Sequence, residues 1–270
     1  MASNETERRR WGDKQIVAAW PKREQLTDTV TPHVLAAIQL RPGQVVLDIG
    51  CGGGKTTIAI AHAVKPRGRV VGADISKAML SLASKRAREA KVTNATFVAR
   101  DMQTGKVAGG PFDAATSQFG VMFFEEPLAA FKNIRKHLKK GGRIAFACWQ
   151  PAPKNAWFPG AAIAPFAPAP PPPAPGTSPT GPFALGDARY VRALLKEAGF
   201  ADVTRKPKRV IVNAPLDAIG DTAIVTIMGV PQSKQKQATA ALEKHLARFA
   251  QPDGNGRFEL NFQVFSARNP

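Results

Sequence analysis

Three apolar runs in this chain close on a carboxylate: Val45-Val46-Leu47-Asp48, Arg69-Val70-Val71-Gly72-Ala73-Asp74 and Ala95-Thr96-Phe97-Val98-Ala99-Arg100-Asp101. The first leads into Gly50-Cys51-Gly52-Gly53-Gly54, four glycines in five positions, and then into the helix-like Lys55-Thr56-Thr57. Glycine tolerates positive φ and lets backbone approach a ligand, and the free amides opening the next helix point into the same crevice. A turn that only reverses the chain does not need so many glycines. This is the layout of a nucleotide-type cofactor site.

Spacing separates the cofactor classes. A Walker loop, G-x-x-x-x-G-K-[ST], would end on Gly54-Lys55-Thr56, but its first glycine falls on Ile49. A dinucleotide fingerprint, G-x-G-x-x-G, read from Gly50 and Gly52 places its third glycine on Lys55. What remains is D-x-G-x-G-x-G, with Asp48, Gly50, Gly52 and Gly54. Asp74 lies 20 residues beyond Gly54, where a strand-end acid can accept both ribose hydroxyls. The same separation suits a nicotinamide-cofactor ribose, so a dehydrogenase stays open on this residue, as does an N-cap for the helix starting at Ser76.

The D-x-G-x-G-x-G run resembles motif I of the class I S-adenosylmethionine-dependent methyltransferases, and the ordered acids Asp48, Asp74 and Asp101 strengthen that resemblance. Phe112-Asp113-Ala114-Ala115-Thr116-Ser117-Gln118-Phe119-Gly120-Val121-Met122-Phe123-Phe124 resembles motif IV, without the [DNS]-P-P-[YFW] signature of enzymes that methylate exocyclic base amines. Its SQFGVMFF wording, and the L-x-x-G-G turn at Leu138 to Gly142, look like the small-molecule enzymes of the ubiquinone and menaquinone biosynthesis group. The resemblance implies S-adenosyl-L-methionine as cofactor, with Asp101 and Met102 at the adenine. It assigns cofactor contacts to Asp48, Gly50, Cys51, Gly52, Gly54, Asp74, Ile75, Met79, Asp101, Met102, Ser117 and Gln118. Phe119, Val121, Met122, Phe123 and Phe124 divide between acceptor wall and plain core.

The elements that must position these groups follow from pattern. Residues 44–149 alternate strand and helix as five units, which predicts a parallel sheet. Phe258 to Ala267 alternates as a seventh strand after a sixth at Val203 to Val212. The expected fold is α/β: a Rossmann-like, doubly wound, seven-stranded, mostly parallel sheet whose last strand is antiparallel, with N-terminal helices and a helical cap. The expected division is 1–43 as an N-terminal helical lid, 44–149 as the cofactor core, 150–183 as a Pro-rich lid or loop, and 184–270 as the rest of the same sheet with a cap insertion. The leading segment reads as two helices, the second punctuated by Pro32, and Trp11, Trp20 and Arg23 either line that lid or dock it. Pro168 to Pro175 reads as extended and polyproline-like, and Trp157, Phe158, Ile163 and Phe166 beside it are lid candidates, a plain surface loop being the alternative.

Composition agrees with one globular catalytic domain: 270 residues, 44% hydrophobic. Met1 to Arg10 lacks an apolar signal region, no apolar stretch is long enough for a membrane span, and two separated cysteines suggest neither disulfides nor a metal cluster. A reducing cytoplasm fits best. The chain carries 38 Lys plus Arg against 20 Asp plus Glu, a net charge of +18 that would attract nucleic acid, an anionic membrane or an acidic substrate. The cations are spread, and those from Phe131 to Lys140 read as one solvated arc of a helix that includes His137. His33, His137, His245, Tyr190 and Glu125 are candidate bases without a motif behind any of them, so no catalytic residue is assigned.

The expected function is methyl transfer to a small hydrophobic or aromatic molecule by in-line displacement. The alternative is an RNA-directed methyltransferase or a non-catalytic member of the fold that binds RNA through its basic surface.

Overall fold

The computed structural model describes residues 4–168, 180–220 and 222–270. One seven-stranded sheet runs through it in the order β3-β2-β1-β4-β5-β7-β6. The strands are β1 (Val45–Ile49), β2 (Arg69–Asp74), β3 (Ala95–Ala99), β4 (Phe112–Gln118), β5 (Leu138–Trp149), β6 (Ala201–Pro215) and β7 (Asn255–Arg268). β1 to β5 pair parallel, while β7 runs antiparallel between β5 and β6. Six strands share a direction and the last opposes them, as the sequence predicts. The strand order reverses between β1 and β4, and the crevice at such a switch point is where open α/β sheets bind ligands.

Among the described residues ten α-helices cover the sheet and the crevice: α1 (Glu5–Gly12), α2 (Lys14–Thr27), α3 (Thr31–Ile38), α4 (Lys55–Ala63), α5 (Lys77–Glu89), α6 (Pro127–His137), α7 (Gly160–Ile163), α8 (Ala188–Glu197), α9 (Thr222–Ile227) and α10 (Gln232–Leu246). β1 and β2 are apolar up to their strand-end acids and largely buried, as strands covered on both faces are. Val46, Val70 and Ala114 share one core with Ile38 and Ile60; Leu47, Val71, Ala115 and Ile144 share the other with Phe131 and Ile134. Phe131 and Ile134 are fully buried. Burying each is worth roughly 1.5–3 kcal/mol, which seats α6 on the sheet.

Several boundaries differ from the sequence reading. The leading segment forms three helices, because Pro32 sits in the first turn of α3, where its missing N–H costs no hydrogen bond. The proline found inside a helix is Pro21 of α2. Only three helices fall within residues 44–149: the connection from β3 to β4 is a looped stretch without one. α6 holds that loop, Asn133 Nδ2 donating to the carbonyls of Met102 and Gly105 at 3.0 and 2.9 Å. His137 is pinned rather than solvated: Val107 N donates to Nε2 at 3.0 Å and Nδ1 lies 2.9 Å from the Asn133 carbonyl. The basic arc also divides, since Leu138 is extended (φ −88°, ψ 142°) and pairs with Phe112. Lys139 and Lys140 therefore belong to β5, and Lys139 pairs with Asp113 at 2.6 Å. All of the Pro168 to Pro175 run except Pro168 lies outside the described residues. Among the described residues no helix is long and apolar enough to cross a membrane.

Candidate cofactor and acceptor site

The glycine turn links β1 to α4 at the carboxyl edge of the sheet. Gly50, Gly52 and Gly54 have φ of +63°, +51° and +86°. Position 50 needs glycine twice over, because a Cβ there would lie 2.8 Å from Gly120 Cα. Ser117 fixes this close approach: its Oγ donates to the Ile49 carbonyl at 2.8 Å and accepts from Gly120 N at 3.2 Å. Ser117 is fully buried and does not line the cavity, so it braces the turn instead of facing a ligand. Gly54 does not line the cavity either; it gives α4 room against α5, with Ala83 Cβ 2.8 Å from where its own Cβ would be.

The three acids do different work. Asp48 is buried and accepts from Thr57 Oγ1 at 2.6 Å and Thr116 Oγ1 at 3.0 Å. Burial pushes its pKa up to about 6 against those two hydrogen bonds. Asp74 accepts from Gly52 N and Ser76 N, each at 2.8 Å, so it clamps the turn to β2. Desolvation raises its pKa, and these amides oppose the rise. The N-cap of α5 is Ser76, whose Oγ accepts from Met79 N at 3.2 Å, so Asp74 is free of that task. Each carboxylate oxygen keeps a further lone pair for a ligand hydroxyl. Asp101 accepts from Gln103 N at 2.8 Å and from Asn4 Nδ2 at 3.4 Å, which brings the start of α1 to the third strand end.

α1 and α2 roof the crevice. Trp11 meets Trp20 and Phe123 edge to face, at 5.7 and 5.2 Å between ring centroids. Trp20 covers Gly52, its Cζ2 3.2 Å from where a Cβ would stand. Trp20 Nε1 donates to Glu24 at 3.0 Å, and Glu24 meets Arg86 of α5 at 2.7 Å. Glu7 is buried under the same roof, accepting from Arg10, Trp11 and Thr180 at 2.7, 3.0 and 3.2 Å; burial raises its pKa. Trp11, Trp20 and Arg23 all line the cavity.

The cavity has a volume of about 290 Å³. Ten of the twelve residues expected from the sequence line it, all but Gly54 and Ser117. Of the lid candidates, Trp157 and Phe158 line it, whereas Ile163 is fully buried and Phe166 packs on the core. Beyond the glycine turn the wall becomes aromatic. Phe119 holds φ +63° and stacks on Trp149 at 4.1 Å and 12°, and Trp149 meets Trp157 at 5.1 Å. Gln118 is held from both sides, accepting from Thr31 Oγ1 at 2.8 Å and donating to the Thr27 carbonyl at 3.1 Å. None of the candidate bases His33, His137, His245, Tyr190 and Glu125 lines the cavity. His33 lies against Phe262 at 5.5 Å, its pKa lowered by burial and then by Lys208. Sequence reasoning missed Asn4, Glu7, Glu24, Asp28, Lys55 and Arg100 on the wall. None carries a motif; each is recognisable only by what it faces.

The fold and glycine turn make a Rossmann-like cofactor crevice, and the comparisons match the part of the chain that builds it. Residues 46–142 match the family model described as a methyltransferase domain. The chain is 35% identical over 104 residues to aklanonic acid methyltransferase DauC of Streptomyces sp. (strain C5), covering 38% of this chain and 47% of that one. It is 32% identical over 113 residues to the ubiquinone/menaquinone biosynthesis C-methyltransferase UbiE of Shewanella frigidimarina, covering 42% and 45%. The chain thus spans about half the length of the curated relatives it matches. The YcgJ protein of Bacillus subtilis shares the fold, with a TM-score of 0.60 at 18% identity over 89% of this chain and 97% of that one.

Residues 46–142 are a class I S-adenosylmethionine-dependent methyltransferase domain, and S-adenosyl-L-methionine is its cofactor. The cavity fits that group on its own geometry. Gly50 and Gly52 line it with bare backbone, and Asp74 and Asp101 stand at or just beyond the ends of neighbouring strands.

Proposed function

We propose that this protein transfers a methyl group to a small, hydrophobic or aromatic molecule. The observation that carries this reading is one cavity continuous from the glycine turn and strand-end acids to a wall of Phe119, Phe123, Trp149, Trp157 and Phe158. Aklanonic acid and ubiquinone/menaquinone biosynthesis are named for two relatives, and a planar acceptor suits such a wall. In this reading the described part of 1–43 is a lid, 44–149 the cofactor core, the described part of 150–183 a second lid or a loop, and 184–270 the rest of the same sheet with a specificity cap.

When bound, the cofactor supplies a methyl group already activated by positive charge on sulfur. The protein's part is alignment and exclusion of water. Asp74 and Asp101 hold the nucleoside end, the stacked Phe119 and Trp149 orient the acceptor, and Trp11 and Trp20 roof the crevice. The test is calorimetric titration with S-adenosylmethionine and S-adenosylhomocysteine, followed by a screen of aromatic acceptors with labelled cofactor. Binding of both, and label in an organic-soluble product, is expected. Failure to bind either, or label entering RNA instead, overturns the reading.

A further inference from the structure

One amide on the cavity wall is only half satisfied. Asn4, at the start of α1, lines the cavity beside Asp101 and is 4% exposed. A carboxylate only accepts, so the amide nitrogen is the end that faces Asp101, with Nδ2 donating to Oδ1 at 3.4 Å. The other end of the amide, Asn4 Oδ1, is shut off from water and has no hydrogen-bond partner among the described residues. A buried amide oxygen left in that state is costly, and folded proteins hold few of them. The side chain does not serve its own helix either. Asparagine is a favoured N-cap, yet Asn4 sits at φ +50° and makes no side-chain capping bond to α1. Its acceptor is therefore held at the wall of the site with nothing from the fold to fill it.

Asp101 is arranged to act beside it. Gln103 N and Asn4 Nδ2 both donate to Asp101 Oδ1, which leaves Oδ2 to a ligand. We propose that Asn4 reads the adenine of the cofactor. Asn4 Oδ1 accepts one hydrogen of the exocyclic amine, Nδ2 gives its second N–H to the adjacent ring nitrogen N7, and Asp101 Oδ2 accepts the other amine hydrogen. The amide suits this edge because its acceptor and donor stand side by side, as the amine and N7 do, and asparagine pairs with adenine in the same way in nucleic acids. This rests on the reading above in which Asp101 holds the nucleoside end. It makes the roof part of the cofactor site rather than a cover over it. α1 is already tied to the start of α5 by Ser76 Oγ, which donates to the Trp11 carbonyl at 2.6 Å, and through Asn4 it closes on the base itself.

The experiment is calorimetric titration of the full chain with S-adenosylhomocysteine and with its 7-deaza analogue, in which C–H replaces N7. The analogue should bind the parent chain roughly tenfold more weakly. In Asn4→Ala the two ligands should bind alike, with S-adenosylhomocysteine itself weakened about tenfold or more relative to the parent. If Asn4 only braced α1, the substitution would weaken both ligands equally and leave their ratio as it is in the parent. Equal affinity of the two ligands for the parent chain, or the parent's ratio persisting in Asn4→Ala, overturns the inference. The first of these needs no variant, so the test holds even where Asn4→Ala folds poorly. Asp101→Ala separates the inference from its basis: about tenfold weaker S-adenosylhomocysteine binding is expected, and an unchanged affinity would remove adenine from this end of the cavity and the role of Asn4 with it.

Discussion

Arg86 Nη1 lies 2.7 Å from the Glu24 carboxylate and 3.0 Å from the Gly53 carbonyl, so one guanidinium ties the roof helix α2 to the glycine turn. The Glu24 side chain is 8% exposed and that of Arg86 20%, so the pair is largely removed from water. Breaking such a pair leaves one charge buried alone. Glu24→Ala is expected to lower stability by about 3 kcal/mol and to weaken S-adenosylhomocysteine binding about tenfold. Urea denaturation and calorimetry measure the two effects. Adding Arg86→Ala should cost less than the sum of the single changes; strict additivity would show that the pair is not coupled.

Two glycines separate backbone strain from lack of space. Gly50 (φ +63°) has Gly120 Cα 2.8 Å from a would-be Cβ, whereas Gly43 (φ +85°) has nothing within 4 Å. Gly43→Ala should cost only the left-handed backbone term, about 1–2 kcal/mol. Gly50→Ala should cost clearly more, since β1 and the loop after β4 must move apart. Comparable losses in thermal unfolding would remove the steric argument.

Asp48 gives stability a pH dependence of known sign. Its folded pKa is raised to about 6 by burial, while the unfolded chain releases the same proton near 4. Between those values the folded state binds the extra proton, so stability falls as pH rises from about 4 to about 6 and levels off above. The contribution is about 3 kcal/mol. Burial raises Asp74 in the same direction. Urea midpoints for Asp48→Asn should lose this slope relative to the parent chain; an unchanged slope would mean the carboxylate is not responsible.

Phe158 lines the cavity and meets Trp157 and Phe183 edge to face at 6.0 and 4.9 Å. Phe158→Ala should raise KM for an aromatic acceptor about tenfold, the worth of one such contact. S-adenosylhomocysteine affinity should stay within about twofold, because the glycine turn and acids are untouched. A matching drop in cofactor affinity would place Phe158 at the wrong end of the cavity.

The glycine turn was legible because positive φ is a local demand that residue type must answer, and Gly50, Gly52 and Gly54 answer it. The ends of β1 and β2 were legible because burial on both faces leaves an apolar run before Asp48 and Asp74, whereas β3, partly exposed at the sheet edge, carries Thr96 and is followed by Arg100 before Asp101. Ser117 was misread for a related reason: it sits beside site residues in sequence, but a strand turns successive side chains to opposite faces, and its hydroxyl turns to Ile49 and Gly120. The expected helix between β3 and β4 was an inference from alternation, which the loop stapled by Asn133 and His137 replaces.

By itself, then, the sequence determined the glycine turn, the strand-end acids and the sheet that carries them, since each rests on residue types read within a few positions of one another, and the cofactor class followed from the family those motifs resemble. Only the tertiary structure decided which groups face across the crevice. Glu24 and Arg86 stand 62 residues apart in the chain, and Phe119 meets Trp149 from the next strand. Such partners depend on register and crossover, where a shift of one residue turns a side chain to the other face, so no local pattern encodes them.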